Sequence, residues 1–444
     1  MSFLLRAAGL AALCLSAEPS FSAEPPRPKD RASVEAQTLV PYNGPSEHGV
    51  DTSTLTSKVM CGYQGWFNCE GDGASRGWVH WTKRNNAPMG PGNVKVDLWP
   101  DTSELSAEEK FPSGLTYPDG RAAEVFSSYT KATVLRHFEW MKSYGIDGAW
   151  VQRFAVGVSD PSSLWQNNVV LSHCREGANR SGRTYAVMYD LSGMGEGKMD
   201  RVMEDWRNLR LRMHIADDPA YLHHKGKPVV SVWGIGFNDR RKYTLADCRK
   251  LIEFLKNDPE AGGCTVMLGV PTYWREQTRD TVPDADLHDI LALADIISPW
   301  TVGRYGKPAD AERHAEKVAK PDAAWCQEHK LEYLPVAFPG FSWHNMYGAK
   351  LESIPRAHGE FFWSQVRAYK KAGAGMLYVA MFDEVDEGTA VFKCTNQPPA
   401  SAEIPFATFE GLPSDYYLRL VGLAGKIYRG EVPVETPLPP AEAK

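Results

Sequence analysis

Basic residues are not in excess in this chain. There are 49 Lys and Arg against 55 Asp and Glu, giving a formal net charge of −6. A nucleic-acid or anionic-membrane partner would select for a basic surface, so neither is expected. Beyond the N-terminal leader, no apolar run reaches the ~20 residues that a membrane helix needs, so stable membrane insertion is not expected. Cysteines are few, eight in 444 residues, and form neither a C-x-x-C nor a Cys/His zinc pattern. Cys14 falls in the leader; Cys61, Cys69, Cys174, Cys248, Cys264, Cys326 and Cys394 are expected as buried small hydrophobes, with at most one or two bridges, such as Cys61 to Cys69. The motifs H-E-x-x-H and G-x-S-x-G are absent, which removes the zinc-protease and serine-hydrolase signatures. No G-x-G-x-x-G and no Walker loop follows a strand-like segment, which disfavours a nucleotide-binding open sheet. A composition that is 43% hydrophobic and 23% charged excludes a disordered chain.

What is present is organised. Residues 1–23 read as a secretory signal: Arg6, a short apolar run over 7–17, and the small-x-small triplet Ser20-Phe21-Ser22. The mature protein is therefore expected to be secreted or periplasmic. Residues 24–57 read as a leader segment, 58–430 as one large domain, and 431–444 as a Pro-rich tail. Within 58–430, eight short apolar runs lie at 58–63, 145–154, 184–191, 227–234, 264–270, 295–300, 332–338 and 375–382. They show no alternation, the pattern of strands buried on both faces. The intervening segments have helical periodicity. Val202, Trp206, Leu209 and Met213 share one face, as do Val134, Phe138 and Met141, and Thr244 is placed to cap the face of Leu245, Cys248, Ile252 and Leu255. Strands alternating with helices predict an α/β fold, a (β/α)8 TIM barrel with a long insertion after strand 1. The insertion, residues 68–128, is too long for an ordinary βα loop and is expected as a cleft wall.

The 14 Trp residues are the second feature. In a barrel of this kind the site lies at the C-terminal ends of the strands. Those ends carry Tyr63 and Trp66, Asp190, Trp233, Tyr273, Trp300, Trp343 and His344, with Trp81 in the insertion. Sugar rings stack their C–H faces on aromatic rings and offer hydroxyls to polar side chains, so this edge suits a carbohydrate cleft. The alternative for any single Trp is core packing.

The eighth run ends in Asp383-Glu384-Val385-Asp386-Glu387-Gly388-Thr389. Crowded carboxylates raise one another's pKa, and glycoside cleavage commonly uses one carboxyl as acid and another opposite it. A solvated acidic loop is the competing reading; the spacing does not match a calcium-binding EF-hand.

The chain resembles bacterial glycoside hydrolase family 71/99-like proteins and, more distantly, the family 99 endo-α-mannosidases. The resemblance covers roughly residues 58–395. It rests on VMCGYQGWF (59–67), GWVHW (77–81), DLWPD (97–101), residues 126–148, GKPVVSVWG (226–234) and FDEVDEGT (382–389). It implies a (β/α)8 barrel and a retaining mechanism on an α-linked glycan. Glu384 would deprotonate the sugar 2-hydroxyl, which attacks its own anomeric carbon; Glu387 would be the general acid and then base. No metal or other cofactor is implied. The family's E-W-H-E reads E-V-D-E here, so Val385 and Asp386 replace the family's Trp and His. Asp383, Asp386 and the aromatic set above are the candidate substrate-binding residues, and an oligosaccharide or polysaccharide is the expected partner. Two alternatives stand: an α-1,3-glucanase or a hydrolase of xylose- or arabinose-containing glycans, and a barrel that binds glycan without cleaving it.

Overall fold

The computed structural model describes residues 28–399, 401 and 403–441. The signal expected over 1–23 lies outside them. Each of the eight apolar runs is a strand: β1 Val59–Tyr63, β2 Gly148–Phe154, β3 Thr184–Asp190, β4 Lys227–Trp233, β5 Thr265–Pro271, β6 Ile296–Trp300, β7 in two pieces (Glu332–Tyr333 and Val336–Ala337) and β8 Leu377–Val379. They are parallel neighbours in chain order, and β8 pairs with β1. β7 is the seam. Its first piece pairs with β6 and its second with β8. Pro335, between them, has no N–H to donate but its carbonyl accepts from Tyr378 N at 3.0 Å. Leu334 N donates to Ile297 O and Ala380 N to Ala337 O, both at 2.9 Å, so the ladder runs on across the seam. The result is the expected (β/α)8 architecture.

A helix follows each strand, from Lys131–Tyr144 after β1 to Tyr416–Tyr428 after β8. The apolar faces read from the sequence are the buried ones: Val134, Phe138 and Met141 in the first helix, and Val202, Trp206 and Leu209 in Met199–Leu211. Thr244 caps Leu245–Asn257 in a reciprocal box with Asp247, satisfying donors that the first helical turn leaves free. In the same helix Cys248, Ile252 and Leu255 are buried while Leu245 is half-buried, and Leu251 joins the core. The seven cysteines from Cys61 to Cys394 are all buried and all free, so Cys61 and Cys69 are not bridged. Among the described residues no helix is long and apolar enough to cross a membrane.

The insertion after β1 carries a two-stranded hairpin (Phe111–Thr116 with Ala122–Val125) and folds over the barrel's C-terminal rim. It is anchored by rings: Trp78, Trp81 and Trp99 are buried. The flanking segments also pack on the barrel. The helix Arg31–Thr38 lies on Pro161–Ser181 with Asn168 donating to Thr38, and Thr436 O accepts from Trp363 Nε1.

Candidate active site

Alternation along the strands decides which side chains reach the barrel mouth. Tyr63, Arg153 and Tyr189 point outward to the helices: Tyr63 Oη lies 2.9 Å from His137 Nδ1, and Arg153 and Tyr189 both bond Asp205. Their neighbours Gln64, Gln152, Phe154 and Asp190 point the other way, and with Trp233 and Trp300 they line a cavity of about 570 Å³. The wall is completed by Trp66, Phe237, Asp239, Asp280, Arg304, Phe341, Trp343, Glu384 and Glu387.

The floor of this cavity is built by the segment after β8. The Asp383 carboxylate accepts from Gln64 N (2.8 Å) and Gly65 N (2.9 Å), stitching the end of β1 to the end of β8. Gly65 has φ +61, a conformation glycine adopts without strain. Val385 O accepts from Asp97 N and Leu98 N of the insertion. Asp386 turns away from the cavity: its Oδ2 is 2.8 Å from His80 Nδ1 and 3.7 Å from Lys95 Nζ. His80 in turn stacks on Trp66 with ring centres 3.7 Å apart and planes 7° apart, so the Asp386 contact fixes a ring of the cavity wall.

Glu384 and Glu387 face the cavity. Glu384, only 2% exposed, accepts from Gln64 Nε2 at 2.6 Å and from Thr389 Oγ1 at 2.7 Å. Glu387 is half-buried and bonded by the Trp343 side chain. Burial pushes both carboxyls above the ordinary glutamate range, and neighbouring carboxylates add to it: Glu387 and Asp386 act on Glu384, Asp386 on Glu387. Burial likewise raises Asp383 to about 7, against the two N–H donors that favour its charge. Asp190 is raised by burial too. Two neighbouring carboxyls that both resist ionisation are the raw material of a paired acid and base.

The sequence-derived candidates divide accordingly. Trp66, Asp190, Trp233, Trp300, Trp343, Glu384 and Glu387 share the one cavity. Tyr63 and Trp81, expected in the cleft, are fully buried instead, Trp81 against Phe67 and Phe126 with its Nε1 donating to Phe126 O. Asp383 and Asp386 hold backbone and insertion rather than the cavity wall. Tyr273 lies outside it with Arg279 over its ring, and His344 uses its Nδ1 on Ala349 O. Gln64, Gln152, Asp239 and Asp280 are lining residues absent from the candidate set. Among the described residues no group of three or more His, Cys, Asp or Glu is placed to hold a metal ion.

The fold and the site at its C-terminal rim define a (β/α)8 barrel with a paired-carboxyl cleft. Particular solved structures share this fold. The family 99 endo-α-mannosidase of Bacteroides thetaiotaomicron aligns with a TM-score of 0.60 at 15% identity, over 85% of this chain and 99% of that one. The same enzyme with bis-tris-propane gives 0.59 at 16%, over 85% and 98%. A glycoside hydrolase-like protein gives 0.51 at 12%, over 88% and 98%. No family model matches the sequence, and no curated protein does.

Proposed function

We propose that the protein is an exported retaining glycoside hydrolase acting on an α-linked glycan, endo-α-mannosidase-like, with Glu384 as base and Glu387 as acid. One observation carries this: two carboxyls with raised pKa, three residues apart, facing one cavity walled by Trp66, Trp233, Trp300 and Trp343. In the first step Glu384 takes the proton of the sugar 2-hydroxyl. The freed oxygen bonds to the anomeric carbon as the bond to the leaving oxygen breaks, and that oxygen takes the Glu387 proton. In the second step the Glu387 carboxylate takes a proton from water. The hydroxide bonds to the anomeric carbon, and the opening ring oxygen recovers its proton from Glu384. Configuration is retained after two inversions. The Gln64 and Thr389 donors on Glu384 favour its charged form and offset part of the upward push of burial and of the neighbouring carboxylates.

The substitution of Val385 and Asp386 into the motif favours sugar contacts different from those of a mannosidase, since Val385 is buried and Asp386 is occupied by His80. A glucan-, xylose- or arabinose-directed specificity follows from that second reading. The test of both is Glu384→Gln and Glu387→Gln against α-mannans, α-glucans, and xylan and arabinan fragments. Each variant should lose about 10²-fold or more on whichever glycan the parent cleaves. Variants as active as the parent would refute the assignment. A parent that binds oligosaccharide and leaves it intact would make the barrel a binding protein.

A further inference from the structure

The aromatic surface does not end at the cavity wall. Phe341 and Trp343 line it, with ring centres 4.8 Å apart. The ring of Tyr347 lies edge-on to Trp343 at 5.2 Å, one step further out. Tyr347 is 71% exposed and Trp343 is 37% exposed, the two most outward members of the series. An exposed tyrosine is unremarkable on a loose loop, but this turn is tightly held. The Asp97 carboxylate, fully buried, accepts from His344 N (2.6 Å) and Asn345 N (2.7 Å). Asn345 Nδ2 donates to Val96 O (2.9 Å) and Pro405 O (2.8 Å). Burial raises the Asp97 pKa, so the cost of placing that carboxylate in the interior goes toward fixing this one turn. The turn presents an aromatic face to solvent beside the cavity wall, on a backbone already held by Asp97 and Asn345.

We infer that Tyr347 is an outer sugar-stacking platform, so that the cleft grips a glycan chain running outward past Trp343 and not only the sugars at Glu384 and Glu387. The inference rests on the glycan reading of the cavity and extends it. A rigid ring with a polar tip suits one hydroxylated, flat-faced sugar at low ordering cost. The chain it accepts is an uncharged one. The cavity wall carries Asp190, Asp239, Asp280, Glu384 and Glu387; Asp239 is paired with Arg241 and Asp280 with Arg304, each at 2.8 Å, and the other three carboxyls have no cationic partner among the described residues. An acidic glycan would meet like charge along that wall.

The experiment is cleavage and equilibrium binding of α-linked manno- and gluco-oligosaccharides, from disaccharide to hexasaccharide, by the full chain and its Tyr347→Ala and Tyr347→Phe variants. Tyr347→Ala should lower kcat/KM for the hexasaccharide roughly 3- to 10-fold and leave the disaccharide unchanged. Tyr347→Phe should retain most of the parent value, and neither variant should shift Tm. A Tyr347→Ala profile equal to the parent at every length, or lowered equally at every length, overturns the outer platform while leaving the glycan reading standing. A parent that neither binds nor cleaves any of these oligosaccharides, nor xylan and arabinan fragments of the same lengths, overturns that reading and the platform with it.

Discussion

The four carboxyls of residues 383–387 form two pairs with opposite environments. Glu384 and Glu387 face the cavity and are bonded there by the side chains of Gln64, Thr389 and Trp343. Asp383 and Asp386 face protein. One fixes two backbone N–H groups of the β1 end, the other fixes His80 of the insertion. Identical chemistry within five residues is thus divided between reaction and construction by nothing more than which way each side chain turns. The shorter aspartates reach structure immediately around them; the longer glutamates reach the space above.

This division can be broken in order of expected effect. Glu387→Gln, nearly isosteric, should cost about 10²-fold or more in kcat with Tm unchanged or raised, since it relieves a crowded negative site. Asp383→Ala should do the reverse in emphasis. It leaves Gln64 N and Gly65 N buried and unpaired, so chemical denaturation should show a loss of about 2 kcal/mol or more. If Asp383→Ala instead kept full stability while abolishing cleavage, the two pairs would not differ in kind. Asp386→Asn should be milder. The negative charge it removes raises both glutamates, so the pH–rate profile should move to lower pH by about one unit or less, with kcat otherwise within about tenfold.

The smallest effect is a linkage one. Glu387 sits at about 7 in the folded protein against an ordinary 4.5, so the folded state binds more protons than the unfolded state between those values. Its contribution to stability is complete below about 4.5 and is lost as pH rises toward 7. Glu387→Gln lacks that loss. Its Tm should therefore gain on the parent's steadily from pH 4.5 to 7 and run parallel above, and a constant difference across that window would refute the raised value.

Strand positions were legible in the sequence because each buried run is short, apolar and bounded. Strand parity was not, for the same reason. A strand buried on both faces has no alternation to show which residues point inward. Tyr63 was therefore expected in the cleft, whereas it is its neighbour Gln64 that faces it. The same ambiguity hid Gln152 beside Arg153. Trp81 failed differently: the length of the insertion marked it as a cleft wall, but a wall of that size needs a core of its own, and Trp81 fills it. The Asp386–His80 contact joins residues 306 positions apart, a separation no local pattern reports.

That separation has a consequence in time. Several of the ties that shape the cavity floor join the first strand region to the last: Gln64 and Gly65 to Asp383, His80 and Lys95 to Asp386, Asp97 and Leu98 to Val385. A chain emerging from the ribosome N-terminus first can form most of its βα units from near neighbours, but it has no site at all until residues 383–389 follow. The insertion's own ties to this segment form only with residues made some 300 positions later. Assembly of the barrel and completion of its chemistry are one event, set by the arrival of the eighth strand.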